Sequence, residues 1–115
     1  NAKNLSPELL KKEEAKLFLS NTENSDIVVL LDENGKQFTS REFAGKIDNW
    51  MNSSVKKVSF FIGGAYGFSD EIYQRANEKM SLSKMTFTHQ MIRLFFVEQI
   101  YRADQILQGK PYHND

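Results

Sequence analysis

Asp26-Ile27-Val28-Val29-Leu30-Leu31 is an unbroken apolar run behind one acid, and the turn-forming stretch Asp32-Glu33-Asn34-Gly35 follows it directly. A strand with one face in water alternates apolar and polar residues. A run without alternation is expected of a strand covered on both faces, which is the situation inside a parallel sheet. Asp-Glu-Asn-Gly has the composition of a turn and is expected to end the strand.

The flanking segments supply the covering layers. Ser6-Pro7-Glu8 reads as an N-cap, a first-turn proline and an acid suited to a helix N-terminus, opening a helix to about Leu19. Asn21 to Ser25 breaks it. Thr39 and Glu42 form a T-x-x-E capping box, and Phe38 and Phe43 stand where a hydrophobic staple requires them. Phe43, Ile47, Trp50 and Met51 give the helix that follows one apolar face. A second buried strand is predicted at Val58 to Ile62, then the glycine turn Gly63-Gly64-Ala65-Tyr66-Gly67, a helix from Asp70 to about Lys79, and a short third strand around Ser81 to Lys84. The longest helix is predicted from about Thr88 to Gln108, stopped by Gly109 and Pro111.

Strands alternating with helices predict an α/β fold, a parallel sheet flanked by helices, over residues 1 to 115 as a single domain. Such sheets bind ligands beyond the carboxyl ends of their strands, so the loops Leu31 to Lys36, Gly63 to Phe68 and Lys84 to His89 are expected to converge there. On the last helix Met91, Ile92, Leu94, Phe95, Phe96, Val97, Ile100 and Tyr101 cover more than one core-facing stripe. Its second apolar side calls for another subunit, while Arg93, Glu98 and Arg102 exclude a membrane span.

Composition removes whole classes of chemistry. With no cysteine among 115 residues, disulfides, thiolate nucleophiles and cysteine metal sites are excluded. Two histidines without an acid at ligand spacing give no metal site. No signal peptide or spanning apolar run is visible, which points to the cytoplasm. Fifteen basic and fifteen acidic residues cancel, unlike domains that hold naked nucleic acid by charge. The asymmetry is mild: residues 1 to 78 carry 10 basic and 12 acidic side chains, residues 79 to 115 carry 5 and 3.

The glycine turn lies between a strand and a helix, but it is neither G-x-G-x-x-G nor a phosphate loop ending in G-K-[ST]. Asp70 and Glu71 in the first turn of the next helix would repel a pyrophosphate and suit a neutral or cationic ligand. The plainer reading, glycines serving only a tight turn, stays open. Ser81-Leu82-Ser83-Lys84 matches S-x-x-K, yet the companion S-D-N and K-T-G motifs are missing. His89 and Arg93 at i, i+4 put an imidazole and a guanidinium on one helix face, and Tyr112 and His113 form a second polar aromatic pair beyond the helix stop. Spacing alone favours the plainer reading, a backbone-bonded histidine with a solvated arginine, and a frayed tail is the default for the second pair. From these residues, an enzyme, a non-catalytic α/β nucleotide-binding module and a dimerisation module all remain open.

The motifs I-G-G-A-Y-G-F at Ile62 to Phe68, S-L-S-K-M-T-F-T-H-Q-M-I-R at Ser81 to Arg93, V-E-Q-I-Y-R-A at Val97 to Ala103 and P-Y-H at Pro111 to His113, in that order, closely resemble the RlmH family of SPOUT methyltransferases. The resemblance covers about Asp26 to the end. It implies a trefoil knot toward the C-terminal end, an exception to the rule that chains do not thread. It further implies a homodimer using S-adenosyl-L-methionine to methylate N3 of a pseudouridine in a 23S rRNA stem-loop on the assembled ribosome. Carried over, the methyl-donor pocket comprises Leu31, Gly63, Leu82, Ser83, Lys84, Met85, Thr86 and Phe87. His89 or His113 then becomes the candidate for removing the N3 proton and Arg93 for stabilising negative charge on the base, with Tyr112 and His113 reaching across the dimer. Thr88 stands where family members usually carry proline, and the match weakens over residues 1 to 25. Family chains also begin with a further strand, helix and strand, so this sequence looks like a fragment.

Overall fold

The computed structural model describes residues 6–24, 26–63 and 67–111. Helix α1 (Pro7–Leu19) leads to strand β1 (Ile27–Gln37), helix α2 (Ser40–Met51), strand β2 (Val58–Ile62), helix α3 (Asp70–Arg75), strand β3 (Glu78–Ser81) and helix α4 (His89–Leu107). The sheet is parallel throughout, in the order β2-β1-β3, with Ile27 to Leu31 paired residue by residue with Val58 to Ile62.

β1 is central, and its successive side chains divide between two cores. Val29 and Leu31 join Phe43 and Ala44 of α2, Met80 of β3, and Phe96 and Ala103 of α4. Val28 and Leu30 face the other way, onto Ala15 of α1, Phe68 and Ile72 of α3. Val28 and Leu30 are fully buried, so the unbroken apolar run follows from helices on both sheet faces. Burying a side chain of this size contributes about 1.5–3 kcal/mol. β2 repeats the division with two aromatics: Phe60 lies 4.6 Å from Phe96 between ring centroids, and Phe61 stacks on Phe18 at 4.2 Å.

Each of these helix starts is held by a side chain. Ser6 accepts from the Leu9 amide, Ser69 from Ile72 and Thr88 from Met91. The capping box is complete: Thr39 Oγ1 accepts from the Glu42 amide at 3.0 Å, and Glu42 Oε1 from the Thr39 amide at 2.8 Å.

Three boundaries differ from expectation. β1 does not end at the turn: after the excursion at Asp32 to Gly35 it returns to β3, pairing Lys36 with Met80 and Gln37 with Ser81. The return depends on Gly35, where a Cβ would lie 2.6 Å from the Met80 amide nitrogen. α3 stops at Arg75 instead of running to Lys79, and β3 begins three residues before the predicted strand. The cause is Asn77, whose backbone N–H donates to Val28 O at 2.8 Å while its side-chain Oδ1 accepts from the Val28 amide at 2.8 Å. Ala76 turns extended to permit this, and Arg75 caps the junction by donating to Glu23 O and Asp26 O. Ser81 to Lys84 is therefore one strand residue and a loop.

α4 is capped by Thr88 and ends at Gln108, with Gly109 at φ +70°, as its stop chemistry requires. One side packs on α2 and β2 through Phe96, Ile92 and Ala103. The opposite side exposes Met91, Leu94, Val97, Ile100 and Tyr101. No helix among the described residues is long and apolar enough to cross a membrane.

Candidate functional site

The excursion of β1 at Asp32 to Asn34 and the loops beyond the carboxyl ends of β2 and β3 converge around a cavity of about 880 Å³. Leu31, the last residue of β1 to pair with β2, forms its floor with Gly63, the residue after β2. The loop from Leu82 to Thr88 and the first turn of α4 form the opposite wall.

That wall is stitched by its own serines. Ser81, 4% exposed, donates from Oγ to Ser83 O at 2.6 Å, and Ser83 Oγ accepts from the Met85 amide at 3.0 Å. These short bonds turn the chain sharply after β3 and leave Met85 and Phe87 with large exposed faces. Phe87 is steadied from behind by an edge contact with Phe95, 5.2 Å between centroids.

Gly63 is a close-approach position. A Cβ there would meet the Phe68 ring at 3.1 and 3.2 Å and the Gly67 carbonyl carbon at 3.3 Å. Gly67 takes φ +80°, a conformation that L side chains rarely adopt. Gly64, Ala65 and Tyr66 of the same turn lie outside the described residues.

Of the expected pocket residues, Leu31, Gly63, Leu82, Ser83, Met85, Thr86 and Phe87 line the cavity, whereas Lys84 is exposed and stands outside the lining. Of the expected catalytic residues, His89 lines it from the first position of α4, half-buried. Arg93 is exposed one turn on and is not part of the lining. Tyr112 and His113 lie outside the described residues.

Beyond the expected pocket residues the lining includes Asp32, Glu33 and Asn34 from the β1 excursion and Phe68, all within the loops expected to converge, and Tyr73 of α3, which no motif singled out. The Asp32-Glu33-Asn34-Gly35 turn was the available signal for the first three. Tyr73 had none, since it arrives only through the packing of α3 against the sheet. Its hydroxyl donates to Asp32 Oδ2 at 2.9 Å, and Asp32 Oδ1 accepts from the Asn34 amide at 3.1 Å. Loss of hydration, then the Asp32 hydrogen bond and the Asp32 and Asp70 charges, push the Tyr73 phenol up to about 12.

Chemically, the cavity pairs apolar walls (Leu31, Phe68, Leu82, Met85, Phe87, Ile92) with short polar groups and carboxylates. No lysine or arginine is among its described lining residues. That set suits a flat or apolar ligand carrying hydroxyls or positive charge, and it is poor for a phosphate, which wants cations or an open helix N-terminus. Among the described residues no three His, Asp or Glu side chains group to hold a metal ion.

A family model described as "Predicted SPOUT methyltransferase" matches residues 1–113. The chain is 58% identical over 112 residues to the Ribosomal RNA large subunit methyltransferase H of Christiangramia forsetii, covering 97% of this chain and 71% of that one. It is 55% identical over 115 residues to the protein of the same name from Bacteroides thetaiotaomicron, covering 100% and 73%. It is 54% identical over 110 residues to that from Cytophaga hutchinsonii, covering 96% and 71%.

Proposed function

The chain belongs to the SPOUT methyltransferase family, and from that premise we propose that it methylates ribosomal RNA of the large subunit with S-adenosylmethionine as methyl donor. The observation that carries this is the cavity at the carboxyl ends of three parallel strands, walled by Leu31, Gly63 and the Leu82 to Phe87 loop. Its residues fit the donor: apolar side chains for an adenine face, loop hydroxyls and backbone for its edges, and no phosphate cradle. When bound, S-adenosylmethionine supplies an activated methyl group.

The chain's own work is then orientation and proton removal. Leu31, Gly63, Leu82, Ser83, Met85, Thr86 and Phe87 would hold the donor, with Lys84 at the outer side of the same loop. A displacement needs nucleophile and donor in line, and fixing that geometry is worth several orders of magnitude in rate. For the acceptor we take N3 of a pseudouridine in a 23S rRNA stem-loop. That nitrogen carries a proton, and His89, which lines the cavity, would accept it. Arg93, one turn along α4, would meet the negative charge developing on the base oxygens. Tyr112 and His113 would act from the second subunit.

The same reading includes a homodimer formed on the exposed apolar side of α4, a single domain with a trefoil knot, and a cytoplasmic protein acting on assembled ribosomes. A chain with no net charge holds isolated RNA weakly, and many contacts between a dimer and a ribosome offset that. The test is transfer of labelled methyl groups from S-adenosylmethionine to purified ribosomes, followed by mapping of the modified nucleotide. Incorporation at one large-subunit pseudouridine is expected. Label elsewhere, or calorimetry showing NAD or ATP preferred to S-adenosylmethionine, would refute the assignment. Single-turnover methylation at the parent rate in each of His89→Ala, Arg93→Ala and His113→Ala would refute the roles given to these residues.

A further inference from the structure

Resting on the donor cavity proposed above, we infer that Asp32, held by the Tyr73 hydroxyl and the Asn34 amide, is the residue that distinguishes the cationic methyl donor from its neutral demethylated product. Asp32 follows Leu31 directly, at the start of the excursion within β1, and lines the cavity. A carboxylate has about four acceptor sites. One is taken by Tyr73 at 2.9 Å and one by the Asn34 amide at 3.1 Å, which fixes the group and leaves acceptor capacity over.

Tyr73 is itself braced. Its ring meets Phe68 edge-on at 5.6 Å, and Phe68, 8% exposed, packs against Gly63 on the cavity floor. Lys79 places its ammonium over the same ring, 5.6 Å from the centroid, and is not among the lining residues. Among the described lining residues no lysine or arginine stands with the Asp32 carboxylate. Donor and product share adenosine and the amino-acid tail, so hydroxyl and stacking contacts cannot tell them apart. They differ by one methyl group and one positive charge. A fixed carboxylate responds to that difference. Tyr73 is a positioning residue in this scheme, acting through Asp32.

Calorimetry of the full chain with S-adenosylmethionine and, separately, S-adenosylhomocysteine tests this. The unsubstituted protein should favour the donor by about tenfold, the scale of one interaction with a charged group. Asp32→Asn keeps the shape and one of the two accepted hydrogen bonds but removes the charge, so the preference should collapse to near one. Asp32→Glu should restore part of it, and Tyr73→Phe should reduce it. In Asp32→Asn the Tyr73 phenol should also titrate below about 12, because the Asp32 hydrogen bond and charge are lost while its burial remains. Equal weakening of both ligands, or no change of the ratio, would overturn the inference while the donor cavity stands. Failure of the unsubstituted protein to bind either ligand would overturn the cavity assignment and the inference with it.

Discussion

Replacing Gly35 by alanine should cost far more than replacing Gly45, although both add one methyl group. At Gly35 the new Cβ would lie 2.6 Å from Met80 N, 2.7 Å from Lys79 C and 2.8 Å from Met80 C. These are backbone atoms of β3, which cannot rotate aside; either β3 or the returning segment of β1 must move. Overpacking typically costs about 1–3 kcal/mol, and an obstacle made of paired backbone places Gly35→Ala near the upper value, about 3 kcal/mol. At Gly45, in the middle of α2, a Cβ meets nothing within 4 Å. Alanine there gains about 0.5–1 kcal/mol through helix propensity. In a domain of this size 1 kcal/mol moves the melting temperature by about 4 °C. Gly35→Ala should therefore melt about 10 °C lower and Gly45→Ala about 3 °C higher, with urea midpoints shifting in the same directions at an unchanged m value. Because the segment before Gly35 carries Asp32 to Asn34 at the cavity, Gly35→Ala should also bind the donor more weakly, and Gly45→Ala should not. Melting of Gly35→Ala within about 2 °C of the parent would refute the close approach of β1 to β3.

Thr39→Ala removes one half of the capping box and should cost about 1 kcal/mol by urea titration, with Thr39→Ser recovering most of it. Tyr73 holds its proton to about pH 12 in the folded chain, whereas the unfolded chain releases it near 10. Its contribution to stability is thus complete below pH 10 and is lost as pH rises toward 12, so alkaline denaturation should be shallower in Tyr73→Phe. Near-ultraviolet phenolate absorbance should show one late-titrating tyrosine that is absent from that variant. Leu94 is 62% exposed, so Leu94→Glu should leave the fold's stability within about 0.5 kcal/mol; sedimentation should nevertheless show the proposed dimer dissociating.

Local chemistry made much of this fold readable in one dimension. The run at Ile27 to Leu31 has no polar alternation because Val28 and Leu30 meet α1 and α3 while Val29 and Leu31 meet α2 and α4. The capping box at Thr39 and Glu42, the caps Ser6 and Thr88, and the stop at Gly109 involve residues no more than a few positions apart, so the chain specifies them without knowing its partners. The convergence of three loops followed from the rule that parallel strands end together. The apolar wall Leu82 to Phe87 could likewise be singled out as a motif.

What remained hidden depended on contacts between distant segments. The early end of α3 is decided by Asn77 binding Val28, 49 positions away, which outweighs the helical preference of the residues that follow. The return of β1 after its turn depends on Gly35 passing against Lys79 and Met80. Tyr73 joins the cavity only because Ile72 is buried under the sheet and carries its neighbour to Asp32, 41 positions away. The sequence by itself determined the elements, their caps and a parallel sheet with a ligand site at one end, because these rest on local hydrogen bonds and on which faces must leave water. Only the tertiary structure decided where strands resume, which side chains meet across the cavity and which remain outside it, because those contacts join residues whose separation along the chain carries no signal.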